Sequence, residues 1–267
     1  MPKTLWILTR FRENPAGLRL PGKAAERLTA LAGEEGFEAV ALDPLDALFV
    51  PAEGKVRMLL EDGELPPPDL AVACLDPFRP LSDLPFLESL RDAGVPCRNG
   101  LRAARNFRDP LRPFLELGLA GVPAVRTAFA RRPHAAERLV AELGLPLEIR
   151  FAGPDGATER AVFADRGSLR GALDLFWRED LPVLAAPAPP EGSADQWIVV
   201  VGVRCLNREE RTAVLASLAL DLDFSCVRLR GEGPLAAVVE IIPYAAPPGE
   251  EPEDAVLEEL ADRLFET

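Results

Sequence analysis

Gly144–Phe163, GLPLEIRFAGPDGATERAVF, is the stretch on which the reading of this chain turns. Leu147, Ile149 and Phe151 alternate with Glu148 and Arg150, so a strand here has one apolar face and one charged face. Gly153 and Gly156, with Pro154 and Asp155 between them, predict a tight connection to a second strand. Glycines in such a loop let backbone amides approach a phosphate. Asp155 and Glu159 put two negative charges where that phosphate would sit. The stretch is either a working phosphate loop or a structural hairpin, and the rest of the chain decides between them.

The chain has 267 residues, 48% of them hydrophobic, enough for a sizeable core in one large domain or two small ones. A net charge of -13 argues against a general nucleic-acid binder, which needs a basic face. No apolar run is long enough to span a bilayer. MPKTLWILT lacks the long apolar core and small-residue cleavage site of a signal peptide, so a cytoplasmic location is expected. Cys74, Cys97, Cys205 and Cys226 fit no zinc spacing and read as buried thiols of a reducing compartment. The single histidine, His134, excludes histidine triads and histidine metal clusters, and RRPHAAER places it in a turn or cap. Lys3, Lys23 and Lys55 are the only lysines, so lysine chemistry is absent beyond residue 55.

Periodicity gives the order of elements. Thr4–Thr9, Phe37–Leu42 and Leu70–Leu75 read as strands, Lys23–Glu35 and Leu81–Ala93 as helices, and Val95–Cys97 as a short strand. Lys55–Leu60 reads as an edge strand. This alternation predicts a parallel α/β layer. From Asn99 the pattern changes to helical pieces over Gly100–Asn106 and Leu111–Leu119, with Asp109 as N-cap of the second and Pro110 in its first turn. Val125–Ala130 reads as a strand and Pro133–Leu143 as a helix. After the hairpin come helix Ser168–Trp177, strand Pro182–Ala186, and strand Gln196–Val201 with Val203–Leu206 as its continuation. Helix Glu209–Leu220 and strands Phe224–Leu229 and Leu235–Ile241 follow. Glu250–Thr267 closes the sequence as an acidic amphipathic helix, read as a solvated cover on the fold.

In that order the segments resemble the ATP-grasp superfamily and, within it, the RimK-type carboxylate–amine (glutamate) ligases. LDPLDALFV (42–50) and DGELPPPDLAVACL (62–75) resemble the family's pre-ATP-grasp domain. VPCRNGLRAARNFRDP (95–110) resembles the helix that opens the ATP-grasp region, and LGLAGVPAVRTAFA (117–130) the strand after it. The hairpin stretch sits where the family has its phosphate-binding hairpin. DQWIVVVG (195–202) resembles the Asp-x-Arg strand, and GPLAAVVEIIPY (233–244) the metal-binding strand. The resemblance implies an α/β (α+β) ATP-grasp fold. Residues 1–98 would form a Rossmann-like pre-ATP-grasp domain and 99–267 a degenerate ATP-grasp domain, with the phosphate hairpin at 144–163 and the metal-strand equivalent at 233–243.

Such ligases phosphorylate a carboxylate with ATP and let an amine attack the acyl phosphate. That chemistry asks for cations on the triphosphate, two magnesium ions held by carboxylates and an amide, and an arginine on the developing charge. Carried over residue by residue, the first ATP lysine falls at Pro110, which has no charge. The second falls at Arg150, which keeps one, either for phosphate or for a surface pair with Glu148. The loop keeps Gly153 and Gly156. The adenine-side glutamate falls at Ala186, and the arginine of the Asp-x-Arg strand at Trp197, while Asp195 remains. The long arginine- and asparagine-bearing loop after Gly202 is missing, since VRCLNREERTAVL runs almost directly into a helix and leaves Arg204 and Arg208 as solvated surface. The metal positions fall at Cys226 for the aspartate, Val238 for the glutamate and Glu240 for the asparagine. One carboxylate cannot hold two hard cations, and Glu240 otherwise reads as a solvent-facing strand residue.

These residues lead to a first expectation, a pseudoenzyme without ATP or magnesium that acts by binding a protein or peptide partner or a ligand. The second is a divergent ATP- and magnesium-dependent ligase, with Arg150 on phosphate and Glu240 as sole metal anchor. A third is a sensor that uses the old interdomain cleft, with Trp197, Phe151 and Tyr244 lining an apolar pocket. No nucleic-acid or membrane partner is expected, and the oligomeric state is open. The readings divide on one geometric point: whether Arg150, Asp195 and Glu240 converge around an open, triphosphate-sized space.

Overall fold

The apolar run LWIL is buried on both faces, as a strand inside a covered parallel sheet must be. It lies in β1 (Lys3–Leu8), which sends Leu5 and Ile7 to one side and Trp6 and Leu8 to the other. The computed structural model describes residues 2–9, 12–13, 19–20, 22–52, 55–60, 63–74, 84–107, 109–130, 135–152, 158–179, 181, 183–191, 195–208, 210–246 and 252–265. Gly153, Pro154, Asp155, Gly156, Ala157, His134 and Arg108 lie outside the described residues.

After β1 come the short pair β2 (Arg12–Glu13) and β3 (Arg19–Leu20), helix α1 (Lys23–Glu34) and β4 (Phe37–Leu42). β5 (Leu48–Ala52), β6 (Lys55–Leu60) and β7 (Gly63–Glu64) form a small antiparallel sheet. β6 pairs on both sides, so it is the centre of this sheet and not an edge. β8 (Leu70–Ala73), α2 (Leu84–Asp92) and β9 (Cys97–Arg98) complete the first main sheet, ordered β4-β1-β8-β9 and parallel throughout. Its α2 side is filled by Trp6, Phe86, Leu87 and Leu90.

The second main sheet is antiparallel, ordered β10-β13-β11-β12. Helices α3 (Leu101–Asn106) and α4 (Arg112–Leu119) lead into β10 (Ala128–Ala130), α5 (Ala136–Leu143), β11 (Leu147–Ala152), β12 (Thr158–Phe163), α6 (Arg166–Arg178) and β13 (Val183–Pro187). The start of α4 differs from the sequence reading. The Asp109 carboxylate accepts from the Leu111 backbone N–H at 2.8 Å and closes a turn before the helix. Pro113, not Pro110, therefore occupies the first helical turn.

The third main sheet, ordered β15-β14-β16-β17, is built from β14 (Gln196–Val201), β15 (Arg204–Cys205), β16 (Phe224–Arg230) and β17 (Ala237–Ile242). β15 does not extend β14. The chain reverses at Gly202, whose φ of +59 suits glycine, and Arg204 pairs back on Val201. Helices α7 (Arg211–Ala219) and α8 (Asp254–Phe265) flank this sheet, α7 on one face and α8 on the other.

The largest core unites the first and third sheets. Leu5, Ile7, Val72, Val199, Phe224, Cys226 and Ile242 share one apolar cluster with α1 and α8. α8 buries Val256, Leu257, Leu260, Ala261 and Leu264 in that cluster, so it covers the fold with its apolar face. Of the thiols, Cys226 is buried, whereas Cys74, Cys97 and Cys205 are half-buried. Burial pushes the Cys74 thiol up to about 12, which leaves it protonated and unreactive at neutral pH. Among the described residues no helix is long and apolar enough to cross a membrane.

Candidate functional site

Two strand faces meet where the resemblance places a nucleotide. On β11 the alternation divides the side chains. Leu147 and Ile149 enter the core under α5 and α6, while Glu148 and Arg150 turn the other way. Their cross-strand neighbours are Ala186 and Leu184 on β13, and Arg160 on β12 stands opposite Arg150. In the third sheet Phe224, Cys226, Arg228 and Arg230 alternate along one face of β16. Trp197 lies beside Arg228 on β14 and Glu240 beside it on β17.

A β-bulge sets what β17 offers to this face. Arg228 pairs with Glu240, yet the next residue, Leu229, pairs with Val238, so Val239 is the extra residue. The bulge separates two positions that regular alternation would put on one face. Glu240 joins the charged face, whereas Val238 enters the apolar cluster under α7 with Leu117, Ile198 and Ala213.

Arg150, Asp195 and Glu240 do come together, and the space between them is filled by Arg228. Its Nη2 donates to both oxygens of Glu148 at 2.7 and 2.6 Å, and its Nε donates to Asp195 at 2.8 Å. Nη1 donates to Glu240 Oε2 at 3.4 Å. The pairs are buried: the side chains are 4% exposed for Arg228, 6% for Glu148, 8% for Asp195 and 3% for Glu240. Arg230 adds a second bond to Asp195 at 2.9 Å and donates to the Pro187 carbonyl at 2.6 Å. Arg160 reaches Glu240 Oε2 at 3.1 Å and lies over the Trp197 ring, 5.4 Å from its centroid. Burial works against the Arg228 charge, but attraction from Glu148, Glu240 and Asp195 outweighs it and holds the guanidinium above its ordinary pKa.

Glu240 is therefore not solvent-facing, and the Arg150–Glu148 pair is not on the surface. Arg150 is 1% exposed along its side chain and its Nε lies 3.7 Å from Glu148. Its Nη1 donates to the Val239 carbonyl at 2.5 Å, and its guanidinium lies 5.4 Å from the Phe114 ring centroid. Arg150 Nε and Nη2 and Glu240 Oε1 are buried without a hydrogen-bond partner among the described residues. Desolvation lowers the Arg150 pKa, although a guanidinium keeps its proton in proteins.

This donor set does not fit magnesium–ATP. A hard divalent cation takes several oxygen ligands. Glu148 and Asp195 already have arginine partners, and Glu240 has one oxygen left. Cys226 and Val238 are fully buried in apolar clusters. No group of three or more metal-ligating side chains occurs among the described residues. On the phosphate side, Pro110 sits in the turn before α4 and carries no cation, and Ala186 is buried opposite Glu148.

Trp197 also lines a cavity of about 350 Å³, with Leu206, Asn207, Ala246, Val256 and Glu259. Phe151 and Tyr244 do not share it. Phe151 packs on Phe176 with ring centroids 4.3 Å apart, and Tyr244 packs against the core between the sheets. Arg204 pairs with half-buried Glu259 and Arg208 with exposed Glu232.

Periodicity pointed to the hairpin face but passed over Arg228. The available signal was FSCVRLR, which places two arginines at alternate positions of an otherwise apolar strand. A pH dependence follows from the cluster. Burial raises the Asp195 pKa, yet bonds and attraction from Arg230 and Arg228 outweigh it and hold the carboxyl below its ordinary 3.8. Its stabilising contribution is complete above that ordinary value and is lost as pH falls through the depressed one. Asp195→Asn should thus be less stable than the parent at neutral pH and lose less further stability on acidification below about pH 4, as urea midpoints at the two pH values would show.

The chain matches no protein-family model and no curated protein sequence. Among solved structures it is similar to a RimK domain protein ATP-grasp from Sphaerobacter thermophilus DSM 20745, with a TM-score of 0.71 and 17% identity over 98% of this chain and 99% of that one. It is also similar to the ATP-grasp ligase PsnB complexed with precursor peptide PsnA2 and AMPPNP, with a TM-score of 0.63 and 14% identity over 98% and 97%. Macrocyclase MdnC bound with precursor peptide MdnA, from Microcystis aeruginosa MRC, gives a TM-score of 0.65 and 12% identity over 99% and 100%. The fold is that of the ATP-grasp ligases across the full chain.

Proposed function

We propose that this chain is a non-catalytic protein of ATP-grasp fold that acts by binding a peptide or protein partner. The observation that carries the reading is Arg228, whose guanidinium is hydrogen-bonded to Asp195, Glu240 and Glu148 at once. The carboxylates that could hold a cation are instead spent on an arginine, and the strand faces are tied to each other. On this reading 1–98 is the former pre-ATP-grasp domain and 99–267 the former ATP-grasp domain. A peptide partner is supported by PsnB and MdnC, both solved with precursor peptides. Isothermal calorimetry with ATP and magnesium is expected to give no measurable heat. Micromolar, magnesium-dependent binding would end the proposal.

A divergent ligase is the second reading, favoured by Arg150 Nε and Nη2 and Glu240 Oε1, which are buried without a hydrogen bond among the described residues. Its sign in the same calorimetry samples is ADP release that depends on an added amino acid or peptide and disappears in Arg150→Ala. Absence of ADP release across a broad substrate panel removes it.

A further inference from the structure

We draw no further inference here: the strongest candidate, the cavity of about 350 Å³ that Trp197 and Val199 of β14 form with Val256 and Glu259 of α8, carries none, because among the described residues no unpartnered buried polar group lines it and nothing in the structure shows what covers it.

Discussion

Arg228→Leu is expected to lower stability by about 3–5 kcal/mol, the range for removing one partner of a buried ion pair. The cost comes less from the lost attraction than from what stays behind. Glu148, Asp195 and Glu240 would be left in a dry environment with fewer donors, and among the described residues Glu148 would keep only Arg150, at 3.7 Å. The thermal midpoint should fall by on the order of 10 °C for a chain of this size. Arg228→Lys should recover little. An ammonium is a compact charge, whereas the guanidinium reaches Glu148 through Nη2 and Asp195 through Nε at once. Denaturant titration of the three proteins measures this directly. An Arg228→Leu protein as stable as its parent would mean that the three carboxylates are not held as described.

The reach of that arginine also explains where the sequence stopped being informative. Elements were legible because their cause is local. LWIL is apolar on every residue and became the doubly covered part of β1, and LEIRF alternates and became β11 with one face in the core. Turn geometry was less legible. Asp109 reads as an N-cap by type, but its carboxylate serves a turn before the helix. Lys55–Leu60 reads as an edge because β7, only Gly63–Glu64 long, gives no periodic signal. The site lay furthest out of reach. Arg228 meets Glu148, Asp195 and Glu240 across separations of 80, 33 and 12 residues, and no window contains two sheets. The bulge at Val239 is invisible to a count of alternate residues, which would set Val238 and Glu240 on one face. Glu240 looked solvated because a glutamate in a strand usually is; here it is 3% exposed.

Asn99→Ala is expected to be about as costly as the loss of Arg228, for a backbone reason. Asn99 has φ of +47, a left-handed conformation that asparagine tolerates and alanine resists, and it is 3% exposed. It joins β9 of the first sheet to the third. Its Nδ2 donates to the Phe224 carbonyl at 2.8 Å and to the Pro243 carbonyl at 3.4 Å. Its Oδ1 accepts from the Asp223 and Phe224 backbone N–H groups at 2.8 and 3.3 Å. Alanine leaves these buried groups unpaired and adds strain, roughly 3–5 kcal/mol together. Asn99→Gly should recover about 1 kcal/mol, the conformational part, and no more. Asn99→Asp keeps the acceptor but loses both donors, and it places a carboxylate beside Asp223, which already accepts from the Asn99 backbone N–H at 2.9 Å. It should fare no better than alanine. Asn99 stands at the start of the proposed second domain, yet Leu5, Ile7, Phe224 and Cys226 share one core across that border. The two parts should then unfold as one unit, with hydrogen exchange at β1 and β16 accelerated equally by Asn99→Ala. If β1 kept its protection while β16 lost it, the residue would be holding only its own turn, and the joint core would not be acting as one.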